Sequence, residues 1–528
     1  MPSSAARELI ASSESIAPED RLDLVIHAAA QLPSSVTVWI HAEGPLRGQL
    51  EALATAYGIA DRVRFESGFA AVPAGTRVYP SRHNAATAPV RPDAAGGGSL
   101  VLDDESQPGA PDKRGTLDDS GEPARGAKVV RTMAELLGEL SAPGDPPAPT
   151  SADRELLGGQ RVAIVTNYPT HYRVPLFNAV AARLSKAGAS MRVLFTDANP
   201  QGRLWMRPGT VAFDHEMLRS ARLPGTSGDV PLALKGRLRA YRPSLVLVGG
   251  FSPLVAGRAA SLASRRGTAV GIWSGEIASR RTARSRLRRA QRLRLMRRAS
   301  FGIAYGYRAR EYLRLLAPTL PCVYGRNTVP FPCGEAPTAG RDAVEILAVS
   351  RAVPGKGLDV LIDAVRMLEG LPLRLTIAGG GPLVAGLKRR ARGDDRIRVL
   401  GAVASDRVGE LYEAADVFAF PSDFDVFGLV IVEAFAAGLA VVASEAPGAV
   451  SDLAVPGRNC LLAEEHTPHA WAASLRLLVE DGALRRTLGE AARATVEKRW
   501  TMDHAADAML AGLTLGAMQQ ARGEGQPS

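Results

Sequence analysis

Cysteine is scarce: a chain of 528 residues has three, Cys322, Cys333 and Cys460. They show no close-paired metal spacing and are too few to staple a chain of this length, so they read as core or incidental thiols. Long apolar runs are missing too. No stretch reaches the roughly 20 residues that span a bilayer, and the N-terminus "MPSSAARELIASSESIAPED" lacks the basic segment followed by an apolar one that marks export. Neither secretion nor membrane insertion is signalled, and the expected location is the cytoplasm.

Core-forming material is plentiful. The chain is 46% hydrophobic with mean hydropathy near zero, as expected of a globular protein too long for a single core. Its formal charge is +10, which favours an anionic partner without naming one. Arginine is densest in "RRTARSRLRRAQRLRLMRR", Arg280 to Arg298, where Leu287, Leu293, Leu295 and Met296 add a partial apolar face. Two readings stand: a solvated helix face, or a helix lying on a membrane surface. No aromatic side chains interleave these arginines, which argues against nucleic acid.

Residues 82–125 turn to Gly, Pro, Asp and Ser and read as a linker. A helix-like piece, "VVRTMAELLGEL", and a second Pro-rich break follow. From Arg161 short apolar runs alternate with amphipathic helical patterns, pause at "NTVPFPCGEAPTAGRD", and resume from "VEILAVSR". That is the βα alternation of a parallel, doubly wound sheet, met twice. The expected organisation is α/β: a partial unit over residues 1–82, a linker over 83–158 with a short helix, Rossmann-like domains over 159–335 and 336–510, and a tail over 511–528. The default site is the cleft between the two Rossmann-like domains.

The strongest local signal is "PSDFDVFGLVIVEAFAAGLAVVAS". Glu433 is its one ionisable group between Val426 and Ser444, in an otherwise apolar helix, where a carboxylate needs a partner. Gly428 turns the chain tightly into that helix and leaves backbone amides for an anion at its N-terminus. Asp425 lies eight residues before Glu433. A buried structural hydrogen bond for Glu433, and an Asx turn or cap for Asp425, are the plain alternatives.

An acidic residue followed by "VFGLVIVE" and "AFAAGLAVVAS" resembles the signature of retaining glycosyltransferases of family 4, which have the GT-B fold of two tandem Rossmann-like domains. The resemblance covers residues 161 to 510. It implies that Glu433 bonds the ribose of a nucleoside diphosphate sugar, with Phe427, Gly428 and Leu429 at the helix opening, and that Asp425 lies beside the donor sugar where the family usually has Glu. "SRAVPGKGLDVLI" resembles the family's diphosphate grip and supplies Arg351 and Lys356, two cations at a strand-to-helix junction that would stabilise the charge growing on the leaving group. "AGGGP" places Gly380 and Gly381 in the same site, a signal that close strand-helix packing explains equally well, and "GAVSDLAVPGRNCLL" places Gly448 and Asp452 there. In the first domain "NYPTHYRVPLF" resembles the loop that closes over phosphates and acceptor, with His171 and Arg173 as candidate contacts. Ser274 and Glu276 stand where some relatives have His. Trp500 resembles the start of a terminal helix that crosses back to the first domain. No metal or other cofactor is implied.

The N-terminus repeats part of this pattern. "PEDRLDLVI" matches "PGKGLDVLI", "VTVWIHAEGPL" matches "LRLTIAGGGPL", and "DRVRFESGF" corresponds to "DRIRVLGAV". The copy covers about residues 14 to 70 as a strand-helix-strand-helix-strand unit. Ser15 replaces Arg351, Asp20 replaces Lys356 and Glu43 replaces Gly380. Carboxylates at those places would repel a diphosphate, so the unit reads as a packing or oligomerisation piece, with an independent ligand role as the alternative.

The expected activity is transfer of a sugar from a nucleoside diphosphate sugar to a hydroxyl of a saccharide or lipid-linked acceptor, with retention, in polysaccharide or glycolipid assembly. The inner face of the membrane is the setting if the Arg280 to Arg298 stretch contacts lipid. A sugar-nucleotide epimerase and a non-catalytic nucleotide-sugar-binding protein are the alternatives; oligomeric state is left open.

Overall fold

The computed structural model describes residues 7–12, 22–31, 36–41, 44, 46–66, 77–80, 99–102, 127–130, 155–196, 209–222, 229–252, 254–278, 286–330 and 342–522. Ser15, Asp20, Glu43 and Cys333, and most of the 83–158 segment, lie outside them.

Near the N-terminus, β1 (Arg7–Ser12), β2 (Val36–His41), β3 (Val63–Glu66) and β4 (Arg77–Pro80) form a parallel sheet in the order β3-β2-β1-β4. Helices α1 (Leu22–Ala29) and α2 (Arg47–Ala56) connect its first three strands. A crossover helix is what joins adjacent parallel strands without a steric conflict. Within 83–158, β5 (Ser99–Leu102) and β6 (Ala127–Val130) pair in parallel. Val129 and Val130, at the head of the stretch expected to be helical, close that strand instead, while residues 131–154 lie outside the described set.

The first Rossmann-like domain holds β7 (Arg161–Thr166), β8 (Ser190–Phe195), β9 (Asp214–Met217), the antiparallel pair β10 (Ser220–Arg222) and β11 (Asp229–Pro231), then β12 (Leu245–Gly249), β13 (Ala269–Ser274), β14 (Phe301–Ala304) and β15 (Cys322–Tyr324). Its main sheet runs β15-β14-β13-β12-β7-β8-β9. Every residue of β13 is buried, the continuous apolar reading of a strand covered on both faces. The covering helices are α3 (Arg173–Lys186), α4 (Leu234–Tyr241), α5 (Ala256–Ser264), α6 (Arg286–Met296) and α7 (Tyr307–Leu316).

The second Rossmann-like domain strings β16 (Val344–Val349), α8 (Leu358–Arg366), β17 (Leu373–Ala378), α9 (Val384–Arg390), β18 (Ile397–Gly401), α10 (Ser405–Glu413), β19 (Val417–Phe420), α11 (Leu429–Ala436), β20 (Ala440–Ala443), α12 (Gly448–Leu453) and β21 (Leu461–Leu462) into a sheet ordered β18-β17-β16-β19-β20-β21. The order reverses between β16 and β19, so the loops leaving those two strands face one another across the crevice where ligands of such sheets bind. Helices α13 (Pro468–Glu480), α14 (Gly482–Arg499) and α15 (Met502–Ala521) follow. Thr501 caps α15 in a capping box with His504.

Helix α15 returns to the first domain, packing on α3, β13, β14 and β15. Between the two domains, Trp500 is buried and donates its indole N–H to the Asn327 carbonyl at 3.0 Å. The Thr328 hydroxyl donates to the Trp500 carbonyl at 2.8 Å.

Candidate functional site

The loop leaving β16 carries Arg351 and Lys356. Gly355 (φ +82°) and Gly357 (φ +63°) put the turn before α8 in the left-handed region, which glycine enters without the strain of a Cβ. Gly357 also lies so close to the loop after β19 that a Cβ there would come within 2.0 Å of the Pro421 carbonyl oxygen. The Asp423 amide donates to the Gly355 carbonyl at 3.0 Å. The two loops at the switch point are therefore joined backbone to backbone, and the Lys356 side chain lies across the join.

Lys356 Nζ donates to Asp425 Oδ2 at 2.6 Å, to the Phe424 carbonyl at 3.0 Å and to Ser422 Oγ at 3.1 Å. The side chain of Lys356 is 12% exposed and that of Asp425 29%, so the pair is partly withdrawn from water, where charge-assisted hydrogen bonds are strong. Asp425 Oδ1 accepts from the Phe427 amide at 3.2 Å. Asp425 thus makes the Asx-type turn and faces Lys356 at once.

Gly428 (φ +91°) begins α11, and no side chain caps that helix. Its first amides open beside Asp425 and Lys356, a place where the helix dipole favours an anion. Phe427 is buried and stacks on Trp500, ring centroids 6.3 Å apart and planes 12° apart. Leu429 is half-buried in the first turn.

One turn further along α11, half-buried Glu433 accepts a 2.7 Å hydrogen bond from the Tyr412 hydroxyl on α10. Burial pushes the Glu433 carboxyl up to about 7, against the opposing pull of that hydrogen bond. Tyr412 is itself raised well above the usual phenol, by burial first and by Glu433 second.

The glycine run after β17 has a specific geometric task. A Cβ on Gly379 would come within 1.7 Å of the Ser350 carbonyl oxygen, and one on Gly381 within 2.3 Å of the Ala352 carbonyl oxygen. The Ala352 amide donates to the Gly380 carbonyl at 3.0 Å. Gly380 and Gly381 therefore seat the Arg351 loop against the next one. Arg351 is exposed at its tip.

Asp452 does not join this group. It is buried in α12, where Oδ1 accepts from the Tyr307 amide at 2.8 Å and from the Tyr324 hydroxyl. Burial raises its carboxyl well above the ordinary range. Both of these partners belong to the first domain. Gly448 is pressed on the Val426 carbonyl, 2.5 Å from a Cβ position, and so belongs to the packing of the Asp425 loop.

On the first-domain side, His171 is half-buried in the loop after β7, with Tyr172 edge-on at 5.2 Å between ring centroids. Arg173 opens α3 and turns inward, donating to Asn167 and to the Tyr305 hydroxyl at 3.2 Å, with its guanidinium over Trp273 at 5.4 Å. Glu276 pairs with Arg292 of α6, yet burial still raises its carboxyl. Ser274 Oγ accepts from the Glu276 amide at 3.1 Å.

Sequence reading missed Ser422, Tyr412, Tyr307 and Tyr324. Each acts through a partner more than 20 residues away, which no local spacing announces. Among the described residues no group of three or more His, Cys, Asp or Glu side chains is placed to hold a metal ion, and no helix is long and apolar enough to cross a membrane.

Residues 337–495 match the family model described as glycosyl transferases group 1. A D-inositol 3-phosphate glycosyltransferase from Xylanimonas cellulosilytica is 38% identical over 178 residues, 32% of this chain and 42% of that protein. One from Corynebacterium glutamicum is 37% identical over 171 residues, 30% of this chain and 40% of that protein. The chain spans about two-fifths of the length of these curated relatives. Among solved structures, sucrose-phosphate synthase from Thermosynechococcus elongatus aligns with TM-score 0.50 at 19% identity, covering 66% of this chain and 97% of that one. Anabaena Alr3699/HepE in complex with UDP aligns with TM-score 0.51 at 19% identity, covering 66% and 98%. Residues 337–495 are thus similar to the glycosyl transferases group 1 family, within a chain of GT-B fold.

Proposed function

We propose that the protein moves a sugar from a nucleoside diphosphate sugar to an acceptor hydroxyl with retention of anomeric configuration. The observation that carries this reading is the contact of Lys356 with Asp425 at the switch point, beside the open N-terminus of α11. The diphosphate occupies that N-terminus, Lys356 leaves Asp425 for a phosphate oxygen, and Arg351 supplies a second cation. Asp425, released, accepts from a hydroxyl of the donor sugar. Glu433 accepts from the ribose. As the bond from the anomeric carbon to the diphosphate oxygen breaks, its electron pair stays on the phosphate, where Lys356 and the helix amides stabilise it. The acceptor oxygen attacks the same face and gives its proton to the departing phosphate. Charge on the leaving group is met here by protein cations and amides, with no metal-dependent step.

The acceptor is a saccharide or lipid-linked hydroxyl at an anionic membrane surface. Helix α6 and the turn after it support this with exposed Arg289, Arg294 and Arg297 and an exposed Leu287. Arg298 is lowered by burial and by Arg294, Arg265 and Arg297 around it, a concentration of like charge that a phospholipid surface would relieve.

The N-terminal unit is a partial copy of the donor domain. The orders β3-β2-β1-β4 and β18-β17-β16-β19 match, and Arg7 pairs with Val36 as Val344 pairs with Leu373.

The test is nucleotide release from a panel of nucleoside diphosphate sugars. UDP sugars come first, since UDP is the ligand named for the Anabaena protein, and inositol phosphates belong in the acceptor panel because of the curated relatives. Turnover with one donor, abolished in Lys356→Ala and Glu433→Ala, and an α-anomeric product from an α-donor by NMR are expected. An inverted product overturns retention, and wild-type release in either variant overturns the site.

A further inference from the structure

The N-terminal unit meets the body at a buried polar chain that runs into the boundary between the two Rossmann-like domains. Its apolar part comes first. Helix α2 packs on α15, and Leu22, Ile26, Leu50 and Leu53 join Leu513, Leu515 and Trp500 in one buried cluster. On its other side α15 lies so close to the sheet that a Cβ on Gly512 or Gly516 would come within 2.4 Å of Ile303 or 2.5 Å of Phe301. A helix apolar around its circumference needs cover on every side, and α2 provides part of it.

The polar chain starts at Tyr324 in β15. Its backbone N–H donates to the Tyr57 hydroxyl at 2.7 Å, and that hydroxyl is 2.9 Å from His27 Nδ1. The other ring nitrogen, Nε2, lies 3.7 Å from Asp23 Oδ2. Asp23 pairs with Arg310 on α7, whose side chain is 4% exposed. In the other direction the Tyr324 hydroxyl donates to Asp452 of the donor domain. The Tyr307 amide at the start of α7 donates to the same carboxyl oxygen. Both elements that hold Asp452 are therefore also held by the N-terminal unit: Tyr324 through Tyr57, and α7 through Asp23.

We propose that the N-terminal unit is an intramolecular brace that, through Tyr57 and Asp23, fixes Tyr324 and α7 against Asp452 and so sets the placement of the two Rossmann-like domains relative to each other. A cleft whose walls come from two domains depends on that placement, because small misalignment of reacting groups costs orders of magnitude in rate. Tyr57 and Asp23 are positioning residues in this scheme and touch no substrate. The proposal needs no assumption about which ligand the cleft takes.

The full-length protein tests it. Fluorophores on cysteines introduced at exposed Arg239 and Lys388 report the distance between the domains. Tyr57→Phe keeps the ring in its apolar cluster and removes the hydroxyl, and Asp23→Asn removes the charge facing Arg310. In both variants the distance distribution should broaden at least twofold and exchange of the Tyr324 amide should rise tenfold or more. Where turnover is measurable, kcat should fall at least fivefold with little change in donor KM. An unchanged distance distribution in both folded variants overturns the brace. Should the variants not fold, hydrogen exchange of the wild type with and without UDP decides: altered protection across residues 22–57 supports it, and altered protection confined to the donor domain overturns it. A wild type without nucleotide turnover would sink the transferase reading and leave the distance measurement valid.

Discussion

Lys356 Nζ lies 2.6 Å from Asp425 Oδ2, bridging the loops that leave β16 and β19. In the unliganded protein the carboxylate therefore competes with any phosphate for the lysine. Asp425→Asn should bind free UDP more tightly than the wild type, several-fold by calorimetry, because a negative charge beside the diphosphate is gone. The same variant should transfer sugar at least tenfold more slowly. Lys356→Ala should lose both binding and at least about a hundredfold in nucleotide release, the scale of removing one preorganised charge stabiliser.

Glu433 sets a pH dependence. Its folded carboxyl titrates near 7, against an ordinary 4.5. A group raised on folding contributes stability that is complete below about 4.5 and is lost as pH rises through 7. Ribose hydroxyls need the carboxylate as acceptor, so UDP affinity should move oppositely and tighten between pH 6 and 8. Glu433→Gln should bind weakly, with a flat profile across that window.

The glycines divide by what surrounds them. Gly379→Ala meets the Ser350 carbonyl and Gly381→Ala the Ala352 carbonyl, whereas a Cβ on Gly355 meets nothing within 4 Å. Gly355→Ala should cost about 1 kcal/mol, the strain of a left-handed alanine alone. Gly379→Ala and Gly381→Ala should cost at least about 2–3 kcal/mol and displace the Arg351 loop, with weaker donor binding in any folded protein. Denaturant midpoints and nucleotide titrations separate the cases.

His27 opposes acid. Burial pushes its imidazole down to about 3, against a smaller upward pull from Glu311; Asp23, Tyr57 and Arg310 are the other polar groups of its surroundings. The neutral ring contributes stability that is present above about 6.5 and lost as pH falls towards 3, at up to ~1.4 kcal/mol per pH unit. Protection of the Tyr324 amide should drop between pH 7 and 5 in the wild type and change less in His27→Gln.

Helix α6 should carry the protein to anionic surfaces. Reversing Arg289, Arg294 and Arg297 to Glu should abolish co-sedimentation with phosphatidylglycerol vesicles and leave nucleotide release on a soluble acceptor within twofold. The wild-type association should weaken steeply between 50 and 500 mM salt. Equal sedimentation of both proteins would remove the membrane setting from the proposal.

Much of the candidate site was legible locally. Lys356 between two glycines, Gly428 before an apolar run, and Glu433 alone in that run each stand out because loop, helix start and carboxylate lie within a few residues, and backbone sterics and desolvation act at that range. The surroundings of Asp452 were not legible, for the opposite reason. Its spacing after Gly448 suits the donor loop, but its burial is decided by Tyr307 and Tyr324, more than a hundred residues earlier in the chain.

The sequence alone determined the two βα alternations, the cations at the first junction and the apolar pattern at the N-terminus, since strand and helix periodicity and glycine placement are written residue by residue. Only the tertiary structure decided that Lys356 faces Asp425, that three glycines seat the Arg351 loop against the next, and that the N-terminal unit is tied through Tyr57 and Asp23 to the domain boundary. Those are distances between segments remote in the chain, and they arise where packed surfaces meet, which composition and spacing do not encode.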